Sequence, residues 1–330
     1  KKSIAKLQIV FYNYIVYTIH RNIHKMGVET ASKGNTGGII MDTIRLKARA
    51  KINLGLDVVR RREDGYHEVR MVMQMLKLYD QIDIEKTETP GIRLTCNLSF
   101  LPTDERNIAY KAAKVMMEQF DIKQGVCIRI EKHIPVAAGM AGGSTDCAAV
   151  LYGMNKLFDL QLSQKKLREI GVKLGADVPF FFYGGTAYAA GIGEEIQPLP
   201  YLGDVSVVLA KGKGGISTAA AYAAMDALQN PPHPNVPEMK QRLQAYAEPK
   251  DLAPLCGNLF AEVTELPIVQ KLQQEMLARG AFASLMTGSG SAVFGLFSSQ
   301  EPARKCCSAL RKVVPFVAQC KTIPHTFYAI

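Results

Sequence analysis

The polarity pattern from Met41 onwards predicts several half-buried strands. Apolar and polar residues alternate over residues 44–48, 82–84 and 126–130. Successive side chains of a strand point to opposite faces of its sheet, so a period of two is typical of strands with one buried face. We therefore expect at least three such strands in the first half of the chain.

Apolar residues also recur at helical spacing between these strands. The stretches that follow Asn107 and Ser163 place apolar residues on one helical face, and asparagine and serine are common helix caps. We expect the second of these helices to stop at Gly175. Because strands pair before helices without a strict strand–helix–strand rhythm, the pattern favours an α+β fold over a doubly wound sheet.

A second block begins near Pro200. It opens with a strand pattern over residues 205–210 and continues with predicted helices over residues 237–247, 267–279 and 301–313. Between the last two helices, residues 285–294 form a glycine-rich loop that runs into a strand. We therefore divide the main part of the chain into a domain over residues 41–200 and a domain over residues 201–330.

The first forty residues differ from the rest in charge. They contain six Lys or Arg residues and one Glu, which is half of the net charge of +10. Their apolar stretch is too short and too broken for a membrane span, which leaves a transit peptide or a basic surface-binding helix as one interpretation. We favour an extension outside the fold over residues 1–40, because Met41 resembles a natural start that enters a strand at once.

Composition narrows the class of protein further. With 330 residues, of which 48% are hydrophobic, the chain can form two domains with substantial cores. The seven cysteines and six histidines are scattered, and neither type shows metal-ligand spacing. An odd cysteine number without a CxxC pair suits free thiols in a reducing cytosol, so we expect no disulfide and no zinc site.

Residues 134–149 predict a phosphate-binding loop that leads into a helix. Gly139, Gly142 and Gly143 let the backbone approach an anion, and Ser144 or Thr145 could cap a helix whose amides face it. No lysine follows the glycine pair, which excludes a P-loop, and the spacing does not fit the dinucleotide fingerprint. A structural glycine turn before a helix would give the same pattern.

Four other segments contain residues suited to chemistry. Lys51 and Asn53 fall on one side of a strand, residues 64–67 read Asp-Gly-Tyr-His, Asp177 follows a helix stop, and residues 288–290 form a Gly-Ser-Gly loop. Each has an ordinary structural explanation, such as a solvated edge lysine, a hairpin, or a turn stabilised by an aspartate.

Taken together and in this order, these segments resemble the GHMP kinase family over essentially all of residues 41–330. The resemblance implies a two-domain α+β fold, with a ribosomal-protein-S5-domain-2-like N-terminal domain and a ferredoxin-like C-terminal domain. The Asp-Gly-Tyr-His turn resembles that of members acting on a cytidine-diphosphate derivative of methylerythritol. The implied reaction is ATP-dependent phosphorylation of the C2 hydroxyl of that substrate, in the non-mevalonate route to isoprenoid precursors.

The resemblance also implies roles for individual residues. Asp177 would be the general base, and Lys51 would keep its carboxylate ionised and offset charge near the transferred phosphoryl group. Substrate contacts would come from Asn53, Tyr66, His67, Thr218 and Tyr222. The ATP phosphates would be wrapped by Pro135, Val136, Ala137, Ala138, Gly139, Met140, Ala141, Gly142, Gly143, Ser144 and Thr145.

Magnesium is implied with ATP, but its protein ligands are not evident. Several GHMP kinases use a glutamate for this metal, and no residue of this chain can be assigned to that role. Asp146 follows the loop, and we interpret it as favouring the helix N-terminus through its charge rather than as a ligand. The metal would then be held mainly by phosphates and water.

Two alternatives stay open. Another GHMP kinase, acting on homoserine, mevalonate or a sugar, would give no reason for a stacking ring beside a base-reading imidazole at residues 66 and 67. A non-catalytic nucleotide- or RNA-binding module would need clustered bases among exposed aromatics, which only residues 1–26 approach. We expect no nucleic-acid or membrane partner, a monomer or homodimer, and a bacterial cytoplasm, with a plastid as the second choice.

Overall fold

A long antiparallel strand pair forms the centre of the molecule. The computed structural model describes residues 42–325, and in it β1 (Thr43–Arg61) pairs along its length with β2 (His67–Thr87). The remaining strands of this seven-stranded sheet are β3 (Ile92–Cys96), β4 (Gly125–Glu131), β5 (Thr186–Ala190), β6 (Glu195–Leu199) and the short β8 (Gly257–Asn258). The sheet runs β3-β4-β2-β1-β8, while β5 pairs with another part of β2 and carries β6.

A second, four-stranded sheet lies in the later part of the chain. It consists of β7 (Ser206–Lys211), β9 (Ala283–Met286), β10 (Val293–Phe297) and β11 (Phe316–Lys321), in the antiparallel order β11-β7-β10-β9. The later part of the chain also contributes to the first sheet, because its strand β8 pairs in parallel with β1. The mixed fold is the expected α+β one, whereas the exact domain limits stay a prediction.

Eight α-helices are described, and most were predicted within a few residues. They are α1 (Ile108–Gln119), α2 (Gly142–Leu157), α3 (Gln164–Gly171), α4 (Phe180–Tyr183), α5 (Thr218–Asp226), α6 (Val236–Gln244), α7 (Pro267–Ala278) and α8 (Gln300–Leu310). Within residues 42–325, no helix is both long enough and apolar enough to cross a membrane. The expected extension, residues 1–40, and the expected start at Met41 lie outside the described residues.

The predicted caps show where local sequence was sufficient. Asn107 accepts a hydrogen bond from the amide of Ala109, and Ser163 accepts one from the amide of Lys166, so both predicted caps are confirmed. The helix after Ser163 ends at Gly171, four residues before the predicted stop at Gly175.

The predicted cap at Ser144 or Thr145 is wrong. Helix α2 already begins at Gly142, and Ala141 precedes it in the left-handed conformation without a side-chain cap. Gly142 and Gly143 therefore belong to the first turn of the helix itself, while Gly139 lies in the loop that leads into it.

Irregularities in the pairing of β1 with β2 divide the side chains of β1 between two core clusters. The pairing register shifts between Arg49 and Lys51, between Asn53 and Gly55, and again between Val58 and Arg60. The apolar side chains at residues 44, 46, 48, 56 and 58 pack into one cluster, while those of Ala50, Ile52 and Leu54 pack into the other. Since neighbouring side chains of a strand alternate between faces, Lys51 and Asn53 lie on the face opposite Ile52.

The first core cluster lies where α2 packs on the sheet. The helix approaches the sheet closely at Gly153, because a Cβ atom added there would lie 2.5 Å from Cδ1 of Ile84 and 3.0 Å from Cδ1 of Leu46. Both neighbours are fully buried. The absence of a side chain at residue 153 therefore sets the spacing between helix and sheet.

We predict that Gly153→Leu destabilises the fold by about 1 to 3 kcal/mol, the usual cost of overpacking a well-filled core. Urea unfolding followed by circular dichroism measures this change in the free energy of unfolding. The control is Gly143→Ala in the same helix, where the added Cβ meets Cγ2 of Ile108 at an ordinary 3.5 Å. Equal stability of the two variants would show that α2 can move away from the sheet.

Candidate active site

One cavity of about 1030 Å³ contains most of the residues that the sequence singled out. Its wall includes the loop over residues 135–144, the N-terminal turn of α2, one side of α5 and the loop over residues 288–290. From the predicted site it includes Lys51, Asp177, Tyr66, His67, Thr218 and Tyr222. Asn53 and Thr145 are not part of the cavity wall.

Lys51 and Asp177 face each other in this cavity. The Nζ atom of Lys51 lies 3.7 Å from Oδ2 of Asp177, and the two side chains are 4% and 29% exposed. Burial lowers the pKa of Lys51 from its ordinary value, and the charge of Asp177 counteracts this shift. Asp177 lies in the turn between α3 and α4, where the buried ring of Phe180 anchors the following residues.

The loop over residues 135–144 is shaped by three residues in the left-handed region. Ala137, Gly139 and Ala141 have φ angles of 49°, 71° and 55°. The carbonyl of Met140 accepts a hydrogen bond of 3.3 Å from the backbone amide of Lys51. The loop is therefore attached directly to the strand that carries the lysine.

Gly139 touches the C-terminal glycine loop main chain to main chain. A Cβ atom on Gly139 would lie 1.9 Å from the carbonyl oxygen of Thr287, and one on Gly288 would lie 2.7 Å from the carbonyl oxygen of Gly139. Both glycines have positive φ angles. The predicted closure of the cleft by residues 287–290 thus depends on glycine at both positions.

Asn53 was predicted to contact substrate, but the structure places it inside the protein. Its side chain is fully buried, and its Oδ1 accepts hydrogen bonds from Nζ of Lys51 at 2.6 Å and from the amide of Gly288 at 3.1 Å. Thr287 also accepts a bond from the amide of Asn53. In this arrangement Asn53 supports Lys51 and the C-terminal loop instead of lining the cavity.

Aromatic rings pack against one another at one end of the cavity, which we call its aromatic end. The rings of His67 and Tyr222 lie 4.4 Å apart at 18°, and Phe260 meets Tyr222 edge-on. Tyr66 is 60% exposed in a turn where Asp64 accepts a hydrogen bond from its amide. Thr218, at the start of α5, shares a hydrogen bond of 2.9 Å with Ser289.

A buried cluster of charged side chains next to the loop over residues 135–144 was not predicted from the sequence. Nζ of Lys132 donates to both Asp80 and Asp146, and the other oxygen of Asp80 accepts from the amides of His133 and Ile134. Burial raises the pKa of the Asp146 carboxyl well above its usual range, while Lys132 counteracts this shift. Asp146 therefore belongs to an ion-pair cluster, and the interpretation that it simply favours the helix N-terminus misses this role.

Asp226 is a second residue that the sequence did not indicate. It lies at the end of α5, lines the cavity, and accepts a hydrogen bond of 2.7 Å from Nε2 of His67. The two residues are 159 positions apart in the chain. The sequence contained only one indication that Asp226 belongs to the site, which is its position one helical turn after Tyr222.

Two parts of the chain match models of one protein family. Family profiles for the GHMP kinases N terminal domain and the GHMP kinases C terminal match residues 107–185 and 233–315. A 4-diphosphocytidyl-2-C-methyl-D-erythritol kinase of Caldicellulosiruptor bescii is 45% identical over 81% of this chain and 94% of its own length. This chain belongs to the GHMP kinase family.

Relatives within the family differ widely in similarity. A kinase of the same name from Clostridium beijerinckii is 43% identical over 85% of this chain and its full length. The crystal structure of a 4-(cytidine 5'-diphospho)-2C-methyl-D-erythritol kinase matches with a TM-score of 0.71 at 32% identity, covering 84% of this chain and 99% of that one. A homoserine kinase from Cytophaga hutchinsonii also has a TM-score of 0.71, over 91% of this chain and 100% of that one, but at 19% identity it shares the fold alone.

We predict that Asn53→Ala lowers the free energy of unfolding by about 1 to 3 kcal/mol, because it leaves buried donors of Lys51 and Gly288 without their acceptor. Urea unfolding measures the loss. A residue that only contacts substrate would instead leave the stability of the free protein unchanged and reduce substrate affinity.

Proposed function

We propose that this chain transfers the γ-phosphoryl group of ATP to the C2 hydroxyl of 4-diphosphocytidyl-2-C-methyl-D-erythritol, forming the 2-phosphate and ADP. The main support is a sequence identity of more than 40% to kinases of that name, over more than 90% of their length. The product is an intermediate of the non-mevalonate route to isoprenoid precursors. The bacterial cytoplasm, the monomer or homodimer, and the domain limits at residues 40 and 200 stay predictions.

Asp177 is proposed as the general base. A carboxylate can accept the proton of the substrate hydroxyl as the oxygen attacks phosphorus, provided that it stays ionised. The ammonium group of Lys51, 3.7 Å away, favours the ionised carboxylate. The partial exposure of Asp177 towards the cavity supports this role, since the base must reach the acceptor.

Lys51 is proposed to act on the phosphoryl group as well. Phosphoryl transfer requires little covalent work from the protein, so the rate comes from in-line positioning and from groups that offset the developing negative charge. Lys51 is buried and held on two sides by Asn53 and Asp177. A charge fixed in this way needs little reorganisation during the reaction.

The loop over residues 135–144 is proposed to hold the ATP phosphates. Its glycines line the cavity, and its last three residues form the first turn of α2, whose unpaired backbone amides favour an anion. Thr145 is buried and lies behind this wall, so we assign the phosphate contacts to residues 135–144 and a supporting role to Thr145.

Magnesium would accompany ATP and neutralise charge on its phosphates. Within the part of the chain that the structure describes, no group of three or more His, Cys, Asp or Glu residues could hold a metal. Ser144 and Asp146 line the cavity next to the loop, and Oδ1 of Asp146 has no hydrogen-bond partner among the described residues. One or two oxygen ligands of this kind fit an ion that keeps most of its phosphate and water ligands.

The cytidine end of the substrate is proposed to bind at Tyr66, His67 and Tyr222. Tyr66 offers an exposed ring for stacking, and His67 offers a ring nitrogen for the base edge. Thr218 lies at the same end of the cavity, next to Ser289. Homoserine, mevalonate and simple sugars would leave these rings unused.

We predict that Asp177→Asn lowers kcat by about 10²- to 10⁴-fold, the usual contribution of a general base. Direct measurement of ADP release with 4-diphosphocytidyl-2-C-methyl-D-erythritol tests this, with homoserine and mevalonate as comparison acceptors. Asp121→Asn changes a surface residue that is not part of the cavity wall and should retain full turnover. Unimpaired turnover of Asp177→Asn would exclude the residue as base, and turnover of another acceptor would overturn the substrate.

We also predict that turnover falls on the alkaline side at a pH below the pKa of an exposed lysine, about 10.4. The sign follows from burial, which lowers the pKa of Lys51 so that the required charge is lost earlier as pH rises. Lys51→Arg should have a lower rate but no such alkaline limb, because arginine stays protonated above pH 12. An unchanged limb in this variant would assign the titration to another group.

A further inference from the structure

Asp226 joins two basic side chains at the aromatic end of the cavity. Its Oδ1 lies 2.7 Å from Nε2 of His67, and its Oδ2 lies 3.4 Å from Nη1 of Arg61. The side chain of His67 is only 10% exposed, while Asp226 is 31% exposed. All three residues belong to the cavity wall.

This contact determines where His67 carries its proton. A carboxylate has acceptor sites only, so Nε2 must carry the hydrogen that it shares with Asp226. In the neutral imidazole, Nδ1 is then an acceptor. Across residues 42–325, no protein group is hydrogen-bonded to Nδ1 of His67, which leaves this nitrogen available to a ligand.

Stacking also fixes the orientation of the His67 ring. Tyr222 stacks on His67 at 4.4 Å, and Phe260 supports Tyr222 from the other side at 4.9 Å. Rotation of the imidazole would break both the stack and the hydrogen bond to Asp226. Both the orientation and the tautomer of His67 are therefore set before a ligand binds.

We propose that Asp226 is a positioning residue that makes the site select cytosine over uracil by holding His67 as an acceptor at Nδ1. This inference rests on the proposed function. Cytosine has an amino group at C4, which donates, whereas uracil has a carbonyl oxygen there, which accepts. A fixed acceptor at Nδ1 can form a hydrogen bond with the amino group of cytosine. With uracil, its lone pair would face a lone pair of the carbonyl oxygen.

The kinetic test compares the cytidine substrate with the same compound carrying uracil. In Asp226→Asn the amide NH₂ can donate to Nε2, which permits the opposite tautomer with a hydrogen on Nδ1. We expect the ratio of kcat/KM values for cytosine and uracil to fall by at least about tenfold, with the change mainly in KM. Asp226→Glu should recover part of the selectivity, and Asp204→Asn, another aspartate bonded to an aromatic partner but outside the cavity, should keep it.

The tautomer itself can be observed by ¹⁵N NMR of the histidine rings. The signal of His67 among the six histidines is assigned by its loss in His67→Gln. We expect an unprotonated Nδ1 in the wild-type protein and a shift towards protonated Nδ1 in Asp226→Asn. A wild-type Nδ1 that carries the hydrogen, or unchanged selectivity in a folded Asp226→Asn, would overturn the proposal.

A binding measurement separates this inference from the proposed function. If the wild-type protein does not phosphorylate the cytidine substrate, the proposed function fails. Calorimetric titration with CDP and UDP then still tests Asp226, because a fixed acceptor must prefer CDP in the wild type and lose that preference in Asp226→Asn. Equal binding of CDP and UDP to the wild type would overturn it.

Discussion

The burial of one ammonium group, that of Lys51, determines how the parts of the site are connected. A charge removed from water needs close acceptors, and here they are Oδ1 of Asn53 and the carboxylate of Asp177. The same oxygen of Asn53 accepts from the amide of Gly288, and the backbone amide of Lys51 donates to Met140. Lys51, Asp177, the loop over residues 135–144 and the C-terminal loop are thus connected in one set of bonded groups.

Local rules accounted for the parts of this set that depend on neighbouring residues. The two-residue spacing of Lys51 and Asn53 predicted that they share a face, and they are hydrogen-bonded to each other. The caps at Asn107 and Ser163 follow from side chains reaching amides two or three residues away. Gly139, Gly142 and Gly143 indicated a close approach of backbone, although they did not reveal that the helix starts at Gly142.

The remaining features depend on contacts between distant segments. The register shifts between β1 and β2 arise from the pairing of the two strands, so nothing in the sequence of β1 alone locates them. Lys132 meets Asp80 from 52 positions away, and His67 meets Asp226 from 159 positions away. The buried position of Asn53 depends on a distant segment as well, because its partner Gly288 becomes adjacent only when the C-terminal loop packs against β1.

The contact between Gly139 and Gly288 has a consequence for movement. The two main chains are in direct contact there, and no side chain lies between them that could change rotamer and allow the segments to slide. A relative displacement at this point would break the hydrogen bonds of Asn53 and Thr287 together. The wall of the cleft therefore resists movement at Gly139 and Gly288, and any widening that admits or releases ligands must occur at other segments of the wall.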